Sequence, residues 1–512
     1  MKKIIVDKST YLDSVSLMRI SRKAAEAQGV KNAMVAMATD TNLLLLGEAG
    51  FDPKAAGDAT PNDLLIAVDA LDNESLERVL ALVRSEIKGG SPVSDEAAYR
   101  FRSLDGALKA RPDINLVFIS VPGRFAAGEA EKALRAGKHV MIFSDNVSVE
   151  DEIRLKAEGR AEGLLVMGPD CGTAIINGVG LGFANAVPRG RVGIVSASGT
   201  GAQEVSSVLA RLGRGISQLI GTGGRDVSAA VGGTTMKMGL EALIEDKDTE
   251  VIVIISKVPD DAVSRDILGT AGHCGKPCIV WFAGLGDRPP EGDVVFTRTL
   301  AETAGRAAGA LGGEVYAAPE AGRALEIAAR QGRALGPDRK FVRGLMSGGT
   351  LGQEAAFLLG PSLGELHTNM HLDGAEELDD PFASTGHTIV DLGDDAFTRG
   401  RAHPMIDQSY RLTRIAREYA DPATAVILMD VVLGYGCNMD PGGEIAAALK
   451  KLGHDAAPPG RPAVVVGLCG TNGDPQDYAR QKRELESAGA IVADTNELAC
   501  RLVLEVMSGK TG

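Results

Sequence analysis

Residues 190–213 read GRVGIVSASGTGAQEVSSVLARLG. Val192 to Val195 predicts a short apolar strand, and Ser196-Ala197-Ser198-Gly199-Thr200-Gly201 a turn of small residues. Val205, Val208, Leu209 and Leu212, at i, i+3, i+4 and i+7, form one apolar stripe of a helix. A glycine-rich strand-to-helix turn leaves backbone N–H groups unpaired at the positive end of a helix dipole, a setting that suits a phosphate or a carboxylate. The stretch therefore predicts a parallel α/β sheet with an anion site at its edge.

The pattern recurs. GTGAQE at 199–204 matches GTLGQE at 349–354, each after a strand and opening a helix. TEVIVIISK at 249–257 matches TAVILMDVV at 424–432, and GKPCIVWFAG at 275–284 matches GRPAVVVGLCG at 460–470. GTGGRD at 221–226 against DLGDDAF at 391–397 is a weaker fourth anchor. Recurrence in one order indicates duplication, so residues 190–312 and 341–512 are expected to be two related doubly wound α/β domains. Residues 313–340, with AAPEAGRALEIAARQGRALG, would join them as a helix-containing linker. Two related domains packed about a pseudo-twofold axis would point both glycine-rich helix ends at one anion. Neither turn is a P-loop, because GxxxxGK[ST] occurs at neither place.

Upstream, residues 1–95 alternate strand and helix signals: KKIIVDK, a helix from about Ser14 to Gln28, NAMVAMAT and NDLLIAVDA. KGGSPVSDEAAYRFR is a polar linker. Residues 106–189 carry INLVFISVPG, a helix with AGEAEKALRAG, KHVMIFSD, a second helix and GLLVMGPDCGT, as expected of a Rossmann-like domain. Its ligand positions would be the strand ends at Val121-Pro122-Gly123, Ser144-Asp145-Asn146 and Gly168 to Thr173.

A chain of 512 residues is long for a single core, which fits several domains. A formal charge of −14 argues against a nucleic-acid partner, whereas a local loop can still hold a small anion. No uncharged apolar run is long enough to span a membrane, and Met1-Lys2-Lys3 leads to Asp7 rather than to a signal sequence, so a cytoplasmic location is expected. The six cysteines show neither CxxC nor zinc spacing, and Cys274 and Cys278 stand four apart and isolated, so reduced core or loop thiols are expected.

The order VPGRF, AGKHVMIFSD, GLLVMGPDCGT, GRVGIVSASGT, GTGGRD and GKPCIVWFAG resembles the α subunit of succinyl-CoA synthetase. Residues 341–512, with MSGGTLGQE, VDLGDDAF and VILMDVVLGYG, resemble the carboxyl-terminal domain of its β subunit. STYLDSVSLM, FSDNVSVEDEI, GPDCGT, DATPND and HPMID resemble signatures of the FdrA family, which fuses these parts. The resemblance implies a CoA-binding-type Rossmann-like domain followed by two flavodoxin-like domains. In the synthetase two helix N-termini hold a phosphohistidine, yet no histidine lies between Gly284 and Arg323 here. The synthetase's N-terminal glycine loop for CoA is missing, and so is an ATP-grasp region.

An anion cradle without a phosphorylatable residue suits a phosphate that arrives on the substrate, as in an acyl or carbamoyl phosphate. FdrA resemblance implies a subunit of an oxamate carbamoyltransferase, interconverting oxalurate and phosphate with oxamate and carbamoyl phosphate in allantoin breakdown. That reading requires no cofactor and calls for companion subunits, with self-association compatible. The alternatives are an acid–thiol ligase that uses CoA and borrows a nucleotide domain from another chain, and a non-catalytic scaffold.

Expected anion ligands are Ser196, Ser198, Gly199, Thr200, Gly201, Ser347, Gly348, Gly349 and Thr350, with Gly223, Gly224, Lys257, Asp391 and Gly393 beside them. Lys257 and Asp430 are read as ending corresponding strands. Arg225 could clamp a carboxylate bidentately, or pair with Asp226 or another acid. Arg399, Arg401 and His403 could bind the acceptor's carboxylate or polarise its carbonyl, or sit in a solvated loop with Asp394, Asp395 and Asp407. Asp170 and Cys171 follow a strand end, and Asp170 joins Arg225, Arg399 and His403 as a catalytic candidate. Cys171 has no evident base. His367 and His371 would make a metal pair only on a helix, and no metal is expected.

Overall fold

Short, wholly apolar runs alternating with amphipathic stretches give a chain of parallel strands and crossover helices. The computed structural model describes residues 1–512 except 11, 13, 62, 90–100, 102, 287, 313–321, 400, 456–459 and 510–512. Most of the polar linker, the boundary at 95, the first part of the joining stretch, and Tyr11, Asp13 and Asn62 of two FdrA-like signatures lie outside the described residues.

Met1–Arg102 and Leu392–Tyr410 make one compact unit. Its strands β1 (Lys2–Asp7), β2 (Val30–Met37) and β3 (Leu64–Ala70) form an antiparallel sheet in the order β1-β3-β2. Helices α1 (Ser14–Ala25), α2 (Asp40–Glu48) and α3 (Asn73–Gly89) connect and follow them. β3 is buried on both faces: Ile66 and Val68 pack with Leu17, Ile20, Val79 and Val83, while Leu65 and Ala67 share a cluster with Leu46 and Phe51.

Ser103–Asp391 and Arg411–Gly512 make the second unit. It opens with α4 (Leu104–Ala110), β4 (Leu116–Ile119), α5 (Gly123–Arg135), β5 (His139–Ile142), α6 (Val149–Glu162) and β6 (Val166–Met167), a parallel sheet in the order β4-β5-β6. A larger sheet follows from β7 (Thr173–Ile176), β8 (Val179–Gly182), β9 (Arg189–Ser196), α7 (Gly199–Arg211), β10 (Ile216–Gly221), α8 (Thr234–Glu245), β11 (Val251–Ser256), α9 (Asp261–Ala271), β12 (Cys278–Phe282), β13 (Val294–Phe296) and α10 (Leu300–Ala310). After α11 (Gly322–Arg333) come β14 (Phe341–Met346), α12 (Gly349–Leu363), β15 (Leu366–Thr368), β16 (Glu376–Glu377), β17 (His387–Asp391) and α13 (Asp395–Thr398, part of the first unit). The chain ends with α14 (Ser409–Ala420), β18 (Thr424–Val432), α15 (Pro441–Lys451), β19 (Ala463–Cys469), α16 (Tyr478–Ser487), β20 (Ile491–Ala493) and α17 (Asn496–Gly509).

The two seven-stranded sheets have the orders β13-β12-β11-β9-β10-β7-β8 and β20-β19-β18-β14-β17-β15-β16. Their first five strands correspond one to one and are parallel throughout, which is the duplication seen as topology. The edges differ. β7 and β8 form an antiparallel hairpin that precedes the repeat, whereas β15 and β16 are parallel and lie within it. VIVIIS and AVVVGLC are buried along their whole length, as strands covered on both faces must be. α7 and α12 pack against each other, and α10 and α17 flank them. Every residue from Gly201 to Leu209 is buried, while Leu212, expected in the apolar stripe, ends the helix 41% exposed.

Asp430 and Lys257 do not end corresponding strands. Asp430 lies inside β18, paired with Gly467, whereas Lys257 follows the end of β11. Among the described residues no helix is long and apolar enough to cross a membrane.

Candidate functional site

β9 delivers Ser196 to the carboxyl edge of its sheet, where the chain must turn into α7. Ser196 Oγ donates to the Ser198 carbonyl at 2.7 Å and accepts the Ser198 N–H at 3.0 Å, which fixes the turn. Ser198 is the N-cap of α7, accepting the Gly201 N–H at 2.9 Å. Its hydroxyl hydrogen goes to Thr350 Oγ1, 2.6 Å away at the start of α12. The two turns expected to face one anion thus touch directly. A Cβ on Gly348 would stand 2.8 Å from Thr200 Oγ1, so only glycine lets them meet.

The two helix ends differ in what surrounds them. Gly199 and Thr200, half-buried, present N–H groups that the first turn of a helix leaves without intrahelical partners. A Cβ on Gly224 would lie 4.0 Å from Lys257 Nζ and 3.9 Å from the Ala197 carbonyl, so the ammonium and the residue two before α7 both border the GTGGRD turn. Lys257 is half-buried and makes no hydrogen bond or ion pair among the described residues. Gly223, at φ 81°, presses against the Pro169 carbonyl and seats the GTGGRD turn on the GPDCGT segment.

The second turn is occupied from within. Ser347 N–H and Oγ, and Gly348 N–H, donate to the Asp430 carboxylate at 2.7, 2.9 and 2.7 Å. Arg411 donates to the same carboxylate at 2.9 Å, and all these groups are buried. Ser347 and Gly348, expected to hold an anion, therefore hold Asp430. Gly349 lies against Asp391, whose Oδ2 would be 2.3 Å from a Cβ there. An acid thus stands at the start of α12, and the cation Lys257 borders Gly224.

Arg225 pairs with an acid, as the alternative reading had it, but the acid is Glu152 rather than Asp226. Its Nε pairs with Glu152 at 3.0 Å and its Nη2 donates to the Val147 carbonyl at 2.8 Å. Glu152 and Asp226 flank the buried Lys156 ammonium at 2.9 and 2.7 Å, so Arg225 belongs to an ion cluster joining α6 to the GTGGRD turn. Asp170 is exposed at φ 54°, with its N–H on the Ser144 carbonyl. Burial pushes the Cys171 thiol up to about 12, which keeps it protonated and unreactive.

Gly393, Arg399 and His403 lie in Leu392–Tyr410, within the first unit. Arg399 is exposed, His403 Nδ1 accepts the Met405 N–H at 3.2 Å, and Arg401 stacks over Tyr410 and donates to Ser409 Oγ. His367 lies on β15 beside Glu365, and His371 sits at φ 38° beside Glu377, so the two are not a helical pair.

Three features escape reading by spacing. Arg411, the partner of Asp430, is one. The second is the pair Glu204 and Glu354, signalled only by the repeated QE of GTGAQE and GTLGQE. The third is a cleft of about 480 Å³ at the far end of α7, lined by Asn185, Arg211, Tyr435, Thr471 and Asn472. Thirteen residues of helix put it roughly 18 Å from Gly199. Arg211 is held there by the carbonyls of Gly470 and Asp494.

A CoA-ligase family profile matches residues 345–506, and a profile of the heavy metal-associated domain of AllF matches residues 1–100. YahF of Escherichia coli (strain K12), itself described as uncharacterized, is 41% identical over 496 residues, 96% of each chain. The succinate–CoA ligase [ADP-forming] subunit alpha 2 of Archaeoglobus fulgidus is 29% identical over 204 residues, 39% of this chain and 68% of that one. A solved dinucleotide-forming acetyl-coenzyme A synthetase 1 of Ca. Korarchaeum cryptofilum, with phosphate and ADP, aligns over 82% of this chain and 88% of its own at 18% identity and a TM-score of 0.32. The metal that the AllF domain's description implies does not fit here. Residues 1–100 contain neither cysteine nor histidine, and no cluster of three ligating side chains occurs among the described residues.

Proposed function

From the premise that this chain belongs to the FdrA-like, succinyl-CoA synthetase-like family, we propose that it is a carbamoyltransferase subunit whose α7 turn holds the phosphate of carbamoyl phosphate. Gly199 and Thr200 donate N–H groups to that phosphate, and Lys257 neutralises it. The amide nitrogen of oxamate attacks the carbamoyl carbon, the C–O bond to phosphate breaks, and the nitrogen's proton passes to the departing phosphate. The products are oxalurate and phosphate, and phosphorolysis is the same path reversed. Charge grows on the leaving phosphate during transfer, where an ammonium and a helix N-terminus stabilise it most. The substrate arrives activated, so no relay histidine is needed, and none lies between Gly284 and Arg323.

The observation that carries this reading is the half-buried, unpartnered Lys257 at Gly224, a glycine that the Ala197 carbonyl of the α7 turn also borders. The AllF-type match over residues 1–100 supports the allantoin-linked reaction. Phosphorolysis of oxalurate, with companion subunits present, should release carbamoyl phosphate, and Lys257→Met should lower the rate at least 100-fold. Full activity in a folded Lys257→Met protein would refute the assignment. A second reading, an acid–thiol ligase working with a nucleotide domain on another chain, is favoured by the CoA-ligase match at 345–506. CoA-dependent ADP formation would establish it instead.

A further inference from the structure

The loop Cys274-Gly275-Lys276-Pro277-Cys278 leads from α9 into the first residue of β12. Its two sulfurs are 3.4 Å apart, and both thiols point at the Lys276 carbonyl, at 3.3 and 3.5 Å. Lys276 Nζ anchors the loop to the Leu243 and Asp246 carbonyls at 2.8 and 2.7 Å, and Asp293 accepts the Gly275 N–H at 2.8 Å. The loop is therefore pinned with its thiols already adjacent. Closing an S–S bond of about 2.05 Å requires only a small shift, which Gly275 at φ 74° can absorb. Cys171, Cys437, Cys469 and Cys500 are buried and free.

We propose that Cys274 and Cys278 form a reversible thiol–disulfide site, oxidised by a low-molecular-weight disulfide such as oxidised glutathione. Half-buried Cys274 meets the reagent first, because Cys278 is buried and burial pushes its thiol up. Cys274 sulfur attacks one sulfur of the reagent, forming a mixed disulfide and releasing one glutathione, which takes the Cys274 proton. Cys278 sulfur then attacks Cys274 Sγ and expels the second glutathione, which takes the Cys278 proton. Two protein thiols are oxidised to one disulfide, and one glutathione disulfide is reduced to two thiols. The loop sits at the amino end of β12, whereas Lys257 and Gly199 follow the carboxyl ends of β11 and β9. Oxidation should thus tighten the sheet without touching the anion site.

The test incubates the full chain in glutathione redox buffers, quenches with acid, alkylates and maps peptides by mass. The expected result is one intramolecular Cys274–Cys278 disulfide, reversed by reduced glutathione, with a higher melting temperature and unchanged phosphate affinity. Cys278→Ser should instead retain glutathione on Cys274. Should that variant fail to fold, the wild-type map decides alone. Two thiols still alkylated in fully oxidising buffer would overturn the proposal, as would a lasting glutathione adduct in the wild type. Protection from alkylation without loss of two hydrogens, released by a chelator, would also overturn it and mark a bound metal instead.

Discussion

Glu204 and Glu354 stand at the same place in the two repeats, and each carboxyl group accepts from a helix N-terminus in the other repeat. Glu204 Oε1 accepts the Asn496 N–H of α17 at 3.0 Å, and Glu354 Oε1 accepts the Leu300 N–H of α10 at 2.7 Å. Thr299 and Thr495, which precede those helices, correspond in the duplication and each accepts an N–H of the first turn. The two domains are joined by a crossed pair of acids at opposed helix dipoles.

That crossing makes stability depend on pH. Burial pushes the Glu354 carboxyl up to about 8 from 4.5, against the pull of Asn496 and Leu300. The folded state then holds a proton that the unfolded state loses above about 4.5, so this group's contribution is complete below 4.5 and declines as pH rises to about 8. One proton gives a slope of about 1.4 kcal/mol per pH unit within that window. Denaturant unfolding from pH 5 to pH 8 should show a slope smaller by this amount in Glu354→Gln than in the wild type, with the upward-shifted Glu204 and Asp474 contributing to both. Equal slopes in both proteins would assign the titration elsewhere.

Lys257 should govern phosphate affinity rather than folding. Removing one ammonium from a partly buried anion site costs roughly 1.5–3 kcal/mol, so Lys257→Met should weaken inorganic phosphate binding at least 10-fold. Calorimetric titration measures this, and an unchanged melting temperature separates it from misfolding.

Gly349 should be coupled to Asp391. A methyl at 349 meets the Asp391 carboxylate, so Gly349→Ala should destabilise by about 1–3 kcal/mol. In an Asp391→Ala background the penalty should shrink, because the obstructing atoms are gone. A double-mutant cycle by chemical denaturation gives the coupling, and purely additive effects would place the strain outside this contact.

Asp430→Ala should be the most damaging of these changes. It strands Arg411, 2% exposed, and frees the Ser347 and Gly348 donors at once. Removing one member of a buried pair typically costs about 3–5 kcal/mol. The denaturation midpoint should fall steeply; a small change would mean that Arg411 finds another partner.

The repeat is legible because a parallel strand covered on both faces writes its burial directly into a run such as VIVIIS, and because GTGAQE and GTLGQE retain both turn and acid. The strand-to-helix turn before α7 is legible for the same local reason. Asp430 filling the second turn is not, because it comes from 83 residues away, and neither spacing nor composition reports such a closure. Arg225 misleads similarly: its partner Glu152 is on α6, while the adjacent Asp226 faces Lys156. The β7–β8 hairpin adds strands to the sheet from before the repeat begins, which hydrophobic pattern alone cannot reveal.

The crossed acids also constrain how this chain can change. A duplicated domain ordinarily drifts on its own, each copy answering to its own core. Here the first turn of α10 depends on Glu354 and that of α17 on Glu204, so each copy supplies an acceptor that the other's helix needs. Loss of either acid would leave a buried first-turn N–H of the other copy without its acceptor, so the seam fails in both halves at once.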